Sequence, residues 1–425
     1  MSNRTGWSNI AVALRVRGYR YYQIGRLSLQ ASNWMYKLAV AWLVWDMTHS
    51  AAWLGVFGML DNLPSLLIMP LAGAIADRFD RMTWIRITQA LLLVHAVVLS
   101  ALVFYDLLTL PILAGMALYY GLVTAAQQPA ITAIIPNLVP KEVLTAAYGL
   151  NSITFNIARF SGPMLGGIII TTWGEAPAIF SSAIGIAVMS VCLVVIRKEF
   201  NQTVKKRETS QHLLQDMKDG VLYAARHPGI GPTMAMLVVL SVLSFFIDQL
   251  LPNFADGVFG AGAQGLSWMT AATAVGAFIQ AGLLASRSGM EGMTRYTFRG
   301  IVILGFAMMA LTSTTSIWVG LVCVLFIGYS GSVIRVGCMT LLQYSVDADM
   351  RGRVASFLSM IYFAGPAIGA LIIGWLSDQF GIRPVVAVCG VITIGIWLWS
   401  RHRLPAIAPA LETAPKELAD SGARA

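Results

Sequence analysis

Apolar stretches of about twenty residues recur along this chain between short polar gaps, and a helix of that length crosses a ~30 Å hydrocarbon core. Twelve spans are expected, at roughly 21–46, 52–76, 83–105, 111–136, 143–172, 177–196, 230–253, 264–286, 297–315, 317–342, 354–376 and 384–401. The polar gaps are of two kinds. Lys and Arg collect in every second one: Arg4 to Arg26, Arg78 to Arg86, Lys141, Arg197 to Arg226, Arg287 to Arg299, Arg351 with Arg353, and Arg401 to Arg424. Of 29 basic residues only four fall elsewhere: Arg383 in an opposite gap, and Lys37, Arg159 and Arg335 inside apolar stretches. The opposite gaps carry acids instead, at Asp46, Asp106, Glu175, Asp256 and Asp378. Positive charge is retained on the cytoplasmic side of a bilayer, so the alternation predicts span number and orientation together. Both termini are expected inside.

This pattern predicts an all-α membrane protein, its twelve transmembrane helices forming two pseudo-symmetric six-helix bundles. The longest polar interruption sets the boundaries: an N-terminal bundle at 1–196, a cytoplasmic linker at 197–229 and a C-terminal bundle at 230–402. A disordered cytoplasmic tail is expected over 403–425, which is rich in Ala, Pro and charge. Within the linker, Leu213, Leu214, Met217, Val221 and Leu222 recur at helical spacing, with Asp216, Lys218 and Asp219 elsewhere on the wheel. That is an amphipathic helix lying on the membrane face, or a solvated linker helix. The halves echo each other: Gly162-Pro163-Met164-Leu165-Gly166 in span five recurs as Gly365-Pro366-Ala367-Ile368-Gly369 in span eleven. Gly73, Asp77 and Arg78 after span two are likewise shadowed by Gly282, Ser286 and Arg287 after span eight. Duplication at half-chain spacing marks secondary transporters, whose substrate sites lie near the midplane.

Composition sharpens the picture. With 57% hydrophobic and 12% charged residues, the chain is far more apolar than a soluble domain. Its net charge of +9 is spread over seven gaps, so topology explains it better than a nucleic-acid partner does. Cys192, Cys323, Cys338 and Cys389 all sit in apolar runs without close pairing, so neither a disulfide framework nor a metal site is expected. The first apolar run follows a basic head and is long enough to span, so it is expected to be retained.

Ionisable groups inside the spans are the sharpest lead to chemistry. They are Lys37 in span one, Asp61 in span two, Arg159 in span five, Asp248 in span seven and Arg335 in span ten. Lys37 and Asp61 are each about nine residues from the outer ends of adjacent helices, which places both ~13–14 Å deep at 1.5 Å per residue. A Lys stem does not reach water from there, and matched depth points to an ion pair. Protonating Asp61 would discharge that pair, a means of coupling proton entry to conformation. A purely structural pair is the competing reading. Arg159 could neutralise an anionic substrate group or a partner carboxylate; Asp248 is a second candidate for protonation or cation binding. Arg335, about seven residues from the inner end of its span, either serves a site or snorkels to the cytoplasm. Of five His, none stands at ligand spacing, and no Gly-x-x-x-x-Gly-Lys-Ser/Thr loop occurs, which argues against an embedded enzyme and an ATP-driven pump. No cofactor is expected.

The turn after span two reads Gly73-Ala74-Ile75-Ala76-Asp77-Arg78-Phe79-Asp80-Arg81. It resembles the loop signature of the major facilitator superfamily, in which a Gly is followed four residues later by Asp-Arg and then by a further Arg. Asp80 stands where that superfamily commonly has a second Gly, and the Asp-Arg-Phe-Asp-Arg version is similar to the subgroup of enterobactin exporters and macrolide efflux pumps. The similarity continues through Trp42 to Pro64 and Arg351-Gly352-Arg353-Val354. It implies a latch in which Asp77, with Arg78 and Arg81, meets the start of span eleven near Arg351 and Arg353 and shuts the cytoplasmic side. Ordinary exposed charge pairs are the bland alternative. Gly162-Pro163-Met164-Leu165-Gly166-Gly167 resembles the antiporter motif of the superfamily's exporters, though Asn151 and Ala158 replace two of its upstream glycines. Close helix packing alone would also favour small residues there.

The resemblance therefore implies a secondary active transporter that exports an amphiphilic small molecule, a siderophore or a drug, in exchange for protons by alternating access. An importer or a lysolipid or metabolite transporter on the same fold is the alternative, because fold does not determine direction or cargo. The expected setting is the bacterial inner membrane, as a monomer.

Overall fold

The computed structural model describes residues 12–76, 81–132, 134–196, 220, 222–287, 289–347 and 349–413. Among them lie twelve long helical segments: α1 (Arg17–Thr48), α2 (Ala51–Ala76), α3 (Arg81–Phe104), α4 (Leu110–Thr132), α5 (Leu144–Trp173), α6 (Glu175–Ile196), α7 (Ile230–Val258), α8 (Gly262–Ala285), α9 (Met293–Ser313), α10 (Ile317–Ser345), α11 (Arg351–Phe380) and α12 (Ile382–Glu412). Among the described residues, the ten helices from α3 to α12 are long and apolar enough to cross a membrane by length and composition. In α1 the residues Arg17, Arg20, Arg26, Lys37 and Asp46 dilute the apolar character of a 32-residue helix. The chain is a multi-pass membrane protein.

Tight turns join several of these helices. Gly174 (φ 87°) ends α5 and Gly381 (φ 83°) ends α11, at equivalent places in the two halves. Each enters the left-handed region that a Cβ disfavours, so α6 and α12 start almost at once. The described residues divide into two compact units: those of 1–49, 60–209 and 261–271, and those of 50–59, 210–260 and 272–425. The first turns of α2 thus belong to the second unit, and the first turns of α8 to the first.

Small residues set the packing inside each unit. In the first, a Cβ on Gly162 would lie 2.6 Å from the Ala31 carbonyl oxygen, and one on Gly166 would lie 3.3 Å from Met35 Cα, so α5 rides directly on α1. Gly167 is equally close to Ser267, whose hydroxyl donates to the Pro163 carbonyl at 2.8 Å. In the second unit the repeat is reproduced: Gly365 abuts Ser241, and a Cβ on Gly369 would lie 2.1 Å from the Val242 carbonyl oxygen, seating α11 on α7. The duplicated motif is a packing device in both halves.

Two expectations change. The helical tail runs through Pro405 and Pro409 to Glu412, where a disordered segment from 403 was expected. Ile407 and Leu411 are fully buried, and the Glu412 carboxylate accepts from the amides of Gly292 and Thr294 at 2.8 Å each, capping α9. That burial and capping offset the bonds the prolines remove. The seventh span, expected at 230–253, extends to Val258 and is broken: the helix stops at Leu243, restarts over Ile247–Pro252 and passes into a π turn at Asn253–Val258. The proposed amphipathic residues 213–219 and Val221 lie outside the described residues.

Candidate functional site

Among the described residues, each unit holds a pair of opposite charges within its long helices. In the first, Lys37 Nζ on α1 donates to Asp61 Oδ2 on α2 at 2.9 Å. The side chains keep 40% and 27% of their surface, so the pair is partly open. Gly121 brings α4 against this point: a Cβ there would lie 2.9 Å from the Asp61 carbonyl oxygen. An aromatic cluster adjoins the pair. The Tyr36 and Tyr120 rings are 4.6 Å apart, and buried His95 lies 5.6 Å from each and stacks on Tyr119 at 5.7 Å. Tyr120 donates its hydroxyl to Asn33 Oδ1. His95 Nε2 sits 3.1 Å from the Met116 carbonyl oxygen, which only accepts, so that nitrogen carries the proton. Arg159 stands 5.5 Å over the Trp34 ring in the same unit.

In the second unit, Arg335 Nη2 lies 4.0 Å from Asp248 Oδ2, and the guanidinium is 4.8 Å from the Phe245 ring centre. Asp248 occupies the broken part of α7. A discontinuous helix carrying a charge near the midplane is a recurrent way to build a transporter's ion or substrate site. Tyr362 donates to the Arg335 carbonyl at 2.9 Å, tying α10 to α11 beside the pair.

The loop residues expected to gate the cytoplasmic side are only partly placed. Gly73 falls within α2 and Arg81 opens α3, while Asp77, Arg78 and Asp80 lie outside the described residues. At the start of α11, Arg351 donates to the Val346 carbonyl at 3.2 Å and Arg353 Nη1 points to Met350 Sδ at 3.6 Å.

A carboxylate–helix contact does exist at the opposite end of the same helix pair. Asp378, in the last turn of α11, accepts from Ser50 Oγ at 2.5 Å, the Ala51 amide at 2.7 Å and the Ala52 amide at 3.1 Å. Its charge thereby meets the positive end of α2. Gly55 and Gly374 let the two backbones touch: a Cβ on Gly55 would lie 2.4 Å from the Ala370 carbonyl oxygen, and one on Gly374 2.3 Å from that of Ala51.

Sequence reading had no route to the Asp378 clasp, the His95 cluster or the Asp248–Arg335 pairing, which join residues far apart in the chain. The available signals were single residues: His95, a polar ring within an apolar span, and the charges of Asp248 and Arg335.

With this geometry in place, the family comparison is decisive: the model of the transmembrane secretion effector family matches residues 11–420. The chain belongs to that family. It is thus a secondary transporter of the major facilitator superfamily, moving a small molecule rather than catalysing a reaction. Relatives of this chain include the staphyloferrin A transporter of Staphylococcus aureus, 25% identical over 89% of this chain and 94% of that one. An enterobactin exporter of Escherichia coli is 24% identical over 93% of this chain and 94% of its own length. Among solved structures, a bacterial homologue of the iron transporter ferroportin, in its inward-facing state, superposes with a TM-score of 0.69. That match covers 90% of this chain and 98% of that one at 16% identity, and speaks for the fold alone.

Proposed function

We propose that this chain exports an amphiphilic small molecule, a siderophore or a drug, from the cytoplasm in exchange for protons. It works by alternating access as a monomer in the bacterial inner membrane, with both termini cytoplasmic. The observation that carries the coupling is the 2.9 Å pair of Lys37 and Asp61 between α1 and α2. A proton arriving on Asp61 cancels its charge and leaves an ammonium without its counter-ion at a depth where that is costly, so the helices must rearrange. The sidedness rests on the distribution of Lys and Arg among the gaps. The siderophore reading rests on the two relatives whose names specify siderophores. Asp77, Arg78 and Arg81, with Arg351 and Arg353, gate the cytoplasmic end, and Asp378 holds the outer end.

Enterobactin is the first probe, a macrolide the second. In inside-out vesicles with an acidic interior, the protein should load enterobactin inward, and Asp61→Asn should stop this while the protein remains inserted. Loading that ignores the proton gradient, or that survives unchanged in Asp61→Asn, sinks the assignment. Loading of the macrolide alone would move the cargo to the drug class.

A further inference from the structure

The repeat that makes the halves alike breaks down at one helix pair. In the first unit α1 and α6 are pressed together: a Cβ on Gly25 would lie 2.7 Å from Met189 Sδ, and one on Gly185 2.3 Å from Ser32 Oγ. Their counterparts in the second unit, α7 and α12, part to leave a groove of about 430 Å³. Its walls are apolar and include Ala235, Met236 and Val239 from α7 with Ile392, Gly395 and Trp399 from α12. Gly395 is its open floor, since a Cβ there would meet nothing within 4 Å. The mouth is basic. The Arg403 guanidinium lies 5.9 Å over Trp399. Arg403 is exposed, yet it stands on a helix pinned beyond it by Leu411 and the Glu412 cap, so its position is held.

An apolar slot ending at an amphipathic Trp and a cation matches an amphiphile with an acyl chain and an anionic head. We propose that the α7–α12 groove is a binding site for an anionic phospholipid: one acyl chain lies along Gly395 and the phosphate rests on Arg403. The site is separate from both charge pairs and holds a bilayer component rather than cargo.

Unfolding of the purified full-length protein in a neutral detergent can be followed with a thiol-reactive dye, because Cys192, Cys323, Cys338 and Cys389 are all buried and free. Phosphatidylglycerol should raise the midpoint by about 2–4 °C more than phosphatidylcholine does. Arg403→Gln should reduce the gain to that of phosphatidylcholine, and Gly395→Leu, which adds a side chain where a Cβ meets nothing within 4 Å, should remove it. Inorganic phosphate alone should leave the midpoint where it was. Equal gains from the two lipids, a full phosphatidylglycerol gain in both variants, or the same gain from inorganic phosphate would overturn the proposal. So would a gain that follows protein concentration instead of lipid, which would assign the groove to a second copy.

Discussion

The two intramembrane charge pairs look like repeats of one device, but they are built differently. Lys37 and Asp61 meet at hydrogen-bond distance between α1 and α2, both unbroken at that point. Asp248 and Arg335 stand 4.0 Å apart, at the limit of an ion pair, with Asp248 on the broken stretch of α7. A point-charge ammonium in direct contact with a carboxylate has two distinct states, paired and discharged. A planar guanidinium beside an aromatic ring and a carboxylate it barely reaches is better suited to receive a further anionic or aromatic group. Under the proposed function, the difference makes coupling the role expected of the first unit and cargo recognition that of the second.

The largest effect should come from replacing the tight pair. Asp61→Asn is expected to abolish proton-driven transport; adding Lys37→Met should restore stability without restoring the drive, as assayed by thermal unfolding and vesicle uptake. If the double variant regained proton-driven uptake, the pair would be only structural. The loose pair should respond differently. Arg335→Gln removes charge-assisted contacts worth about 1.5–3 kcal/mol each, so KM should rise about tenfold or more while the pH dependence of uptake stays in place. A changed pH dependence with unchanged KM would reverse the two assignments.

Smaller effects test the surroundings. Asp378→Ala removes a three-donor cap, costing about 1 kcal/mol and lowering the unfolding midpoint by a degree or two. Ser50→Ala, which takes away one donor, should lower it less. At the other end of the second unit, His227 Nδ1 accepts from the amides of Gly229 and Ile230 at 3.2 Å each. Only a neutral ring can accept there. Burial pushes the His227 imidazole below its ordinary 6.5, against the opposing pull of Asp347. The folded state then binds fewer protons than the unfolded chain just below pH 6.5. Stability from this cap should be complete above that value and decline as the pH falls toward the lowered folded-state value. His227→Asn should flatten the decline in pH-dependent melting.

What the sequence disclosed follows from what is local. The matched depth of Lys37 and Asp61 could be worked out because a short turn links their helices, leaving only a helical rise to count. Arg335 and Asp248 were both visible as misplaced charges, but nothing nearby in the chain says that α7 and α10 meet. The Gly-Pro repeat pointed to close packing but not to the partner helices, which are α1 for Gly162 and Gly166 and α7 for Gly365 and Gly369. The tail misled because Pro405 and Pro409 usually end helices, and the burial of Leu411 and the reach of Glu412 to α9 are tertiary facts. The latch expected from Asp77 lies outside the described residues; the carboxylate–helix contact described for the α2–α11 pair belongs to Asp378, which the sequence marked only as an acid in a turn.

Proton movement is the quantity that separates the two charge centres most directly. Proteoliposomes containing a trapped pH indicator, given enterobactin, should report proton flux in the wild type and in Arg335→Gln at saturating probe. In Asp61→Asn the flux should vanish while one-for-one exchange of labelled enterobactin continues. Undiminished proton flux in Asp61→Asn would contradict the account.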